Sequence, residues 1–333
     1  MKLFSRIMMM AGCLGLGLSL AGCGAQESVT AWPLATASPE DTVTQLYAEK
    51  FAQEVDRLSG GSMKIEVYPN STLGGDRDLL ESCADGDIPF VVQNTAPQVS
   101  FMEDLAVFDL PCEFETMAEC RQVIDNAAFQ EAVDDVYEAG GYRLLGIADQ
   151  GFRVMSTNKP VTTVDDFAGQ KIRTMENSYH LAFWSALGTS PTPMSFAEVY
   201  IGLQQHTIDA QENPYEVIVS NRLFEQQKYV VETNHLPHLI TLITSDGFYE
   251  KLTSEQQEIL QRAADLATDY ARTQSDARIE TRKGEIEAEG TEIVTVSEAL
   301  RQQILEKSAG VKEKIQQSVD PDLFDAYTSG ESE

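Results

Sequence analysis

The chain has 333 residues, 42% hydrophobic and 23% charged, enough for roughly two domains of about 100 to 200 residues each. Its 53 acidic side chains outnumber 24 basic ones for a formal charge of -29, which argues against nucleic acid or an anionic lipid surface as an electrostatic partner. Only the N-terminus holds an apolar stretch long enough to consider for a bilayer, so a multispanning membrane protein is excluded.

At that N-terminus, Lys2 and Arg6 precede an apolar run from Ile7 to Leu20. The run is shorter than the roughly 20 residues of a bilayer span and suits a signal-peptide core. It ends in Leu20-Ala21-Gly22-Cys23, which resembles the bacterial lipobox. Residues 1–22 therefore read as a lipoprotein signal peptide, Cys23 as the lipidated residue, and 23–37 as the lipidated N-terminus and tether. The expected location is exported and lipid-anchored to the cell membrane, facing the periplasm or the cell exterior. Cys83, Cys112 and Cys120 remain. This odd set admits one disulfide, with Cys112 and Cys120 nearest in sequence, and equally admits three unpaired thiols.

Along the body, Ser38-Pro39-Glu40-Asp41 reads as a helix start, and Val43, Leu46, Tyr47, Phe51, Val55 and Leu58 recur at helical spacing before Gly60-Gly61. Met63, Ile65 and Val67 then alternate with polar neighbours as in a strand. A helix over 76–84, strands over 88–92 and 142–148 with a helix over 118–138 between them, and strands over 153–157 and 171–174 continue the alternation. Helices over 179–187 and 196–205 follow. The fold class is α/β in layers. From Ser254 to about Ala288 the chain has no Pro and one late Gly, which predicts a helix long enough to span two lobes. A strand over 292–296, a helix over 298–317 and an acidic tail over 321–333 close the chain.

No catalytic centre is legible. The four histidines form no HExxH, and only His235 and His238 share ligand-like spacing, so no metal is expected. There is no GxSxG elbow and no phosphate loop, and Asp165-Asp166 reads as capping, so the chain is not expected to be an enzyme or to hold a cofactor. Arg153 and Arg173 are more informative, because each sits on a predicted strand after a glycine-bearing turn. A guanidinium matches a carboxylate with two parallel hydrogen bonds and stays charged when partly buried. Ordinary ion pairs with some of the 53 acids would explain the same two residues.

Several segments carry a resemblance that spans nearly the whole body. They are Tyr68-Pro69 through Leu73-Gly74-Gly75-Asp76-Arg77, Gly151 to Arg173, and Ser190-Pro191-Thr192-Pro193-Met194-Ser195-Phe196-Ala197-Glu198-Val199-Tyr200. Asp209-Ala210-Gln211-Glu212-Asn213-Pro214, the stretch Phe224-Glu225-Gln226-Gln227-Lys228-Tyr229, and Thr233-Asn234-His235 complete the set. In this order they resemble the solute-binding subunits of tripartite ATP-independent periplasmic (TRAP) transporters, the DctP family.

The resemblance implies a two-lobed, Venus-flytrap fold with a long helix spanning both lobes. Lobe I would cover 38–150 with about 239–278, and lobe II 151–238 with about 279–320. It further implies that Arg173 pairs with a ligand carboxylate, that Arg153 is a second cleft cation, that Asn213 is a polar contact and that Phe196 packs on the solute. Asp76 and Asn94 would meet the ligand's far end. The implied partners are a small organic acid and a membrane permease, with the protein itself a monomer; a sensor receptor is the alternative partner. Asn94 stands where sialic-acid binders carry Glu, Pro89 replaces a common Asp, and Ala210 replaces a Gly. Sialic acid is therefore not the expected ligand, and polar side chains at Asp76 and Asn94 in place of a third cation put sugar acids such as uronates or aldonates slightly ahead of C4-dicarboxylates.

Overall fold

The computed structural model describes residues 31–329, so the signal peptide, Cys23 and residues 330–333 lie outside the described residues. The tether ends earlier than expected. Residues 31–35, read above as tether, form β1 (Ala31–Ala35). Leu34 and Ala35 are fully buried, and the Trp32 ring packs edge-on to Phe248 at 5.2 Å.

α1 (Val43–Leu58) is capped by Thr42, whose hydroxyl accepts from the Gln45 amide at 3.3 Å. The preceding turn, with Asp41 in the left-handed region at φ 56°, leaves Ser38 and Pro39 outside the helix. Lobe I continues through β2 (Lys64–Tyr68), α2 (Asp76–Ala84), β3 (Phe90–Asn94), α3 (Met117–Ile124), α4 (Ala127–Ala139) and β4 (Tyr142–Phe152).

The chain crosses to lobe II at Arg153, between β4 and β5 (Val154–Thr157). There it builds β6 (Lys171–Thr174), α5 (Ser178–Ala186), β7 (Ser190–Pro193), α6 (Val199–Gln204), β8 (Ala210–Asn213), α7 (Tyr215–Ser220) and β9 (Tyr229–Glu232). It returns through β10 (Pro237–Ser245), then forms α8 (Asp246–Tyr249), α9 (Ser254–Ala288), β11 (Glu292–Thr295), α10 (Glu298–Ser318) and α11 (Pro321–Thr328). Two mixed sheets result, ordered β2-β1-β3-β10-β4 and β11-β9-β5-β8-β6-β7.

Helix α9 joins the lobes as the sequence predicts. Its 35 residues start at a capping box between Thr253 and Gln256. Leu260, Ala263, Ala264, Ala267 and Ala271 form a stripe buried with Tyr47 and Phe51 of α1. Small side chains allow the close approach, and Gly146 of β4 sustains it: a Cβ there would lie 2.5 Å from Thr268 Oγ1. At the other end Ile286 is buried with Val230 of lobe II, and Arg278 and Arg282 both reach Glu216 of α7, at 2.9 and 3.1 Å.

The expected acidic tail over 321–333 is also corrected. Residues 321–328 are α11, capped by Asp320 and held by Phe324 and Tyr327. The Tyr327 ring sits 5.6, 5.2 and 5.4 Å from those of Phe108, Phe114 and Phe129, so the C-terminal helix belongs with lobe I. Cys83, Cys112 and Cys120 are all free and buried, so the open question of a disulfide resolves to three thiols.

Candidate functional site

A cleft of about 410 Å³, counting its open mouth, lies between the lobes. Lobe I contributes Ser38, Pro39, Asp76, Asn94 and His238, the last because β10 joins the lobe I sheet from Pro237, two residues before the expected boundary, and lobe II contributes Arg173, Met175, Phe196, Asn213 and Val217. Five of the six expected contact residues thus meet in one space, from β3, α2, β6, β8 and the turn before α6. Beside it a second depression of about 670 Å³ shares Asp76, Arg173 and Met175 and adds Arg77, Asp78, Glu176 and Ser195.

Arg173 is the cation of this cleft. Strand β6 runs parallel to β8, with Arg173 opposite Gln211, which places Arg173 and Asn213 on neighbouring strands. The side chain is only 2% exposed. Its Nε and Nη2 donate to Met194 O at 2.9 and 2.6 Å, which fixes the guanidinium plane. No protein acceptor takes Nη1 among the described residues. The Phe196 ring lies 5.9 Å from the guanidinium carbon, so the aromatic face and the cation line the site together. Burial lowers the Arg173 pKa to about 10, and the neighbouring Arg153 adds to that while Glu212 and Asp76 oppose it. The group remains charged at neutral pH, and an anion is the complement its surroundings lack.

Arg153, expected as a second cleft cation, is placed differently. It sits in the crossover, where its amide donates to Leu236 O at 2.8 Å, and its side chain is 1% exposed. Nε and Nη2 clasp the Glu212 carboxylate, with Nη2 2.7 Å from Oε1. Nη2 also donates to Glu212 O at 2.7 Å and Asn213 Oδ1 at 3.3 Å, and Nη1 meets His238 Nδ1. Every nitrogen of the guanidinium has a protein partner, and the residue does not line the cleft. Burial by itself raises the Glu212 carboxyl, but the Arg153 charge and a hydrogen bond from His235 Nε2 at 3.2 Å outweigh it and hold the group well below the usual carboxylate range. The same ionic cluster orients Asn213, whose Nδ2 donates to Gln211 Oε1 at 2.6 Å.

Across the cleft, Asp76 opens α2 after Gly75. Burial pushes its carboxyl up to about 6, with Glu176 adding to the rise and Arg173 opposing it. Asn94 ends β3 and donates from Nδ2 to Leu239 O at 2.7 Å while its Oδ1 accepts from Ala96 N at 3.1 Å. His238, weighed above only for metal spacing, lines the cleft as well, and so do Ser38 and Pro39, read above as a helix start. Among the described residues no group of three or more His, Cys, Asp or Glu side chains could hold a metal ion, and no helix is long and apolar enough to cross a membrane.

Comparison with known proteins agrees with this fold. A solute-binding protein of Verminephrobacter eiseniae is 31% identical over 247 residues, 74% of this chain and 73% of its own. The sugar acid binding protein DctPAm of Advenella mimigardefordensis, solved with galactonate, superposes with a TM-score of 0.86 at 26% identity, covering 90% of this chain and 98% of its own. A TRAP periplasmic solute-binding protein of Shewanella oneidensis with bound succinate gives 0.86 at 26%, covering 91% and 99%. Residues 34–318 match the profile of the bacterial extracellular solute-binding protein family 7, DctP, and the chain belongs to that family.

Proposed function

We propose that the protein captures a small organic acid, specifically a sugar acid of the aldonate or uronate kind, and delivers it without chemical change to a TRAP membrane permease for ion-coupled uptake. One observation carries the choice of ligand. The cleft offers one buried guanidinium with an open Nη1 on lobe II and a carboxylate with an amide, Asp76 and Asn94, on lobe I. A carboxylate docks on Arg173, and hydroxyl groups suit the far end, where a second carboxylate would face Asp76. The succinate-bound relative supports a dicarboxylate as the second reading. The nearby Arg77 is largely exposed and paired with Glu81 at 3.0 Å, which disfavours it as a second clamp. Because a ligand touching both lobes stabilises the arrangement that brings them together, closure follows binding. Lipidation at Cys23 completes the reading and holds the protein at the membrane surface.

A thermal-shift panel of aldonates, uronates and C4-dicarboxylates on the purified mature protein tests it, since a ligand that binds only the folded state raises the apparent melting temperature. Hydroxylated monocarboxylates should give the largest shifts. A larger shift with succinate or malate would overturn the choice of sugar acid, and product formation from any of them would overturn simple capture. Loss of uptake on deleting the permease, with the protein still bound to its ligand, separates transport from signalling to a receptor.

A further inference from the structure

We propose that His238 is a ligand-binding, specificity-determining residue whose Nε2–H donates a hydrogen bond to a hydroxyl oxygen of the bound acid. The inference rests on the sugar-acid reading and deepens it, because it assigns a donor to the hydroxyl side of the ligand.

The geometry fixes the tautomer. His238 lies on β10, is 4% exposed, and lines the cleft with Asp76, Asn94, Arg173 and Asn213. Its Nδ1 meets Arg153 Nη1, with Asn94 Nδ2 at 3.4 Å. A guanidinium only donates, so Nδ1 accepts and the ring proton sits on Nε2. Arg153 cannot turn away, because Glu212 and Asn213 hold its other nitrogens. The charged and titratable groups facing this ring come from several elements: Arg153 in the crossover, Glu212 on β8 and His180 on α5. Burial, followed by the Arg153 charge, depresses its pKa well below the ordinary value, and Glu212 only partly compensates. Accepting from Arg153 at Nδ1 likewise requires the neutral imidazole.

Nε2–H has no protein acceptor among the described residues, while Nδ1 points to the hinge cluster, which leaves the Nε2 edge for the cleft. The other neutral cleft groups are largely committed. Asn94 spends its amide on Leu239 O and Asn213 spends its own on Gln211. His238 therefore supplies a fixed donor, and Asp76 an acceptor, on the lobe I side of the space. A hydroxyl group can accept from the first and donate to the second, whereas a methylene can do neither and a carboxylate meets repulsion at Asp76. This pairing selects hydroxylated acids over their deoxy counterparts.

Two measurements decide the matter. Nitrogen-15 NMR of the imidazoles, with His238 assigned by its loss in a variant, should report a neutral Nε2–H tautomer from pH 5.5 to 8; an Nδ1–H tautomer or a protonated ring at pH 6 overturns the proposal. Calorimetry with D-galactonate and its monodeoxy analogues then compares wild type, His238→Gln and His238→Phe, each first shown to unfold cooperatively. Gln can accept from Arg153 and donate to the ligand, so it should stay within about threefold of wild type, while Phe should weaken galactonate roughly tenfold. For the analogue lacking the partner hydroxyl, wild type and Phe should bind equally. If wild type binds galactonate and Phe binds it as well, this inference falls alone. If wild type binds no hydroxy acid at all, the functional reading falls and takes the inference with it.

Discussion

Two arginines that look alike in sequence end in opposite environments. Arg153 and Arg173 both follow a glycine at positive φ, Gly151 and Gly169, and both are almost fully buried. At the hinge, Arg153 is saturated by Glu212, Asn213 and His238. In the cleft, Arg173 is braced by one backbone carbonyl and keeps a nitrogen for something else. A buried cation with filled donors thus fits a structural part, and one with an open donor fits the proposed receptor. Counting donors, not charges, tells the two apart.

The largest effect that could break this contrast is on the hinge side. Glu212→Gln leaves the Arg153 charge buried without its partner, and chemical denaturation should show a loss of about 3 to 5 kcal/mol. A change within half a kcal/mol would mean that the cluster is not structural. The cleft side comes next. Arg173→Lys replaces the fixed guanidinium and its open Nη1 by a mobile point charge and should weaken the cognate acid by roughly 10- to 100-fold in calorimetry, with little change in unfolding midpoint. Wild-type affinity in that variant would return Arg173 to the structural class.

The smallest effect is a pH dependence. The Asp76 carboxyl is raised by burial from 3.8 to about 6, so between those values the folded protein keeps a proton that the unfolded chain has released. Unliganded stability should therefore fall as pH rises through that window and level off above it. Asp76→Asn should flatten this slope, and a slope that survives the substitution would assign it to another group.

Much of this arrangement was legible before the fold was known, and the omissions have a common cause. α9 announced itself through a long stretch without proline, Arg173 through its type and local setting, and Asp76, Asn94, Phe196 and Asn213 through the family resemblance. What one dimension hides is the distant partner. Arg153 reads as a ligand group until Glu212, 59 positions along, is seen to occupy it. β1 looked like a tether because only its neighbours β2 and β3 give Leu34 and Ala35 somewhere to bury. α11 looked like a tail because acidic composition masked Leu323, Phe324 and Tyr327, which share one apolar face. His238 was judged for spacing with His235, when its proposed role depends on a guanidinium from the crossover between β4 and β5.

The place of α11 beside β1's lobe has a mechanical consequence. Both described ends of the chain are moored to lobe I, so lobe II is attached only through the crossovers and the long helices. With the proposed anchor at Cys23, eight residue steps before Ala31, the leash from lipid to lobe I can reach no more than about 30 Å. Lobe I would then stay within that distance of the membrane. Lobe II, joined to that anchor only through lobe I, would be the part left free to swing as the cleft closes.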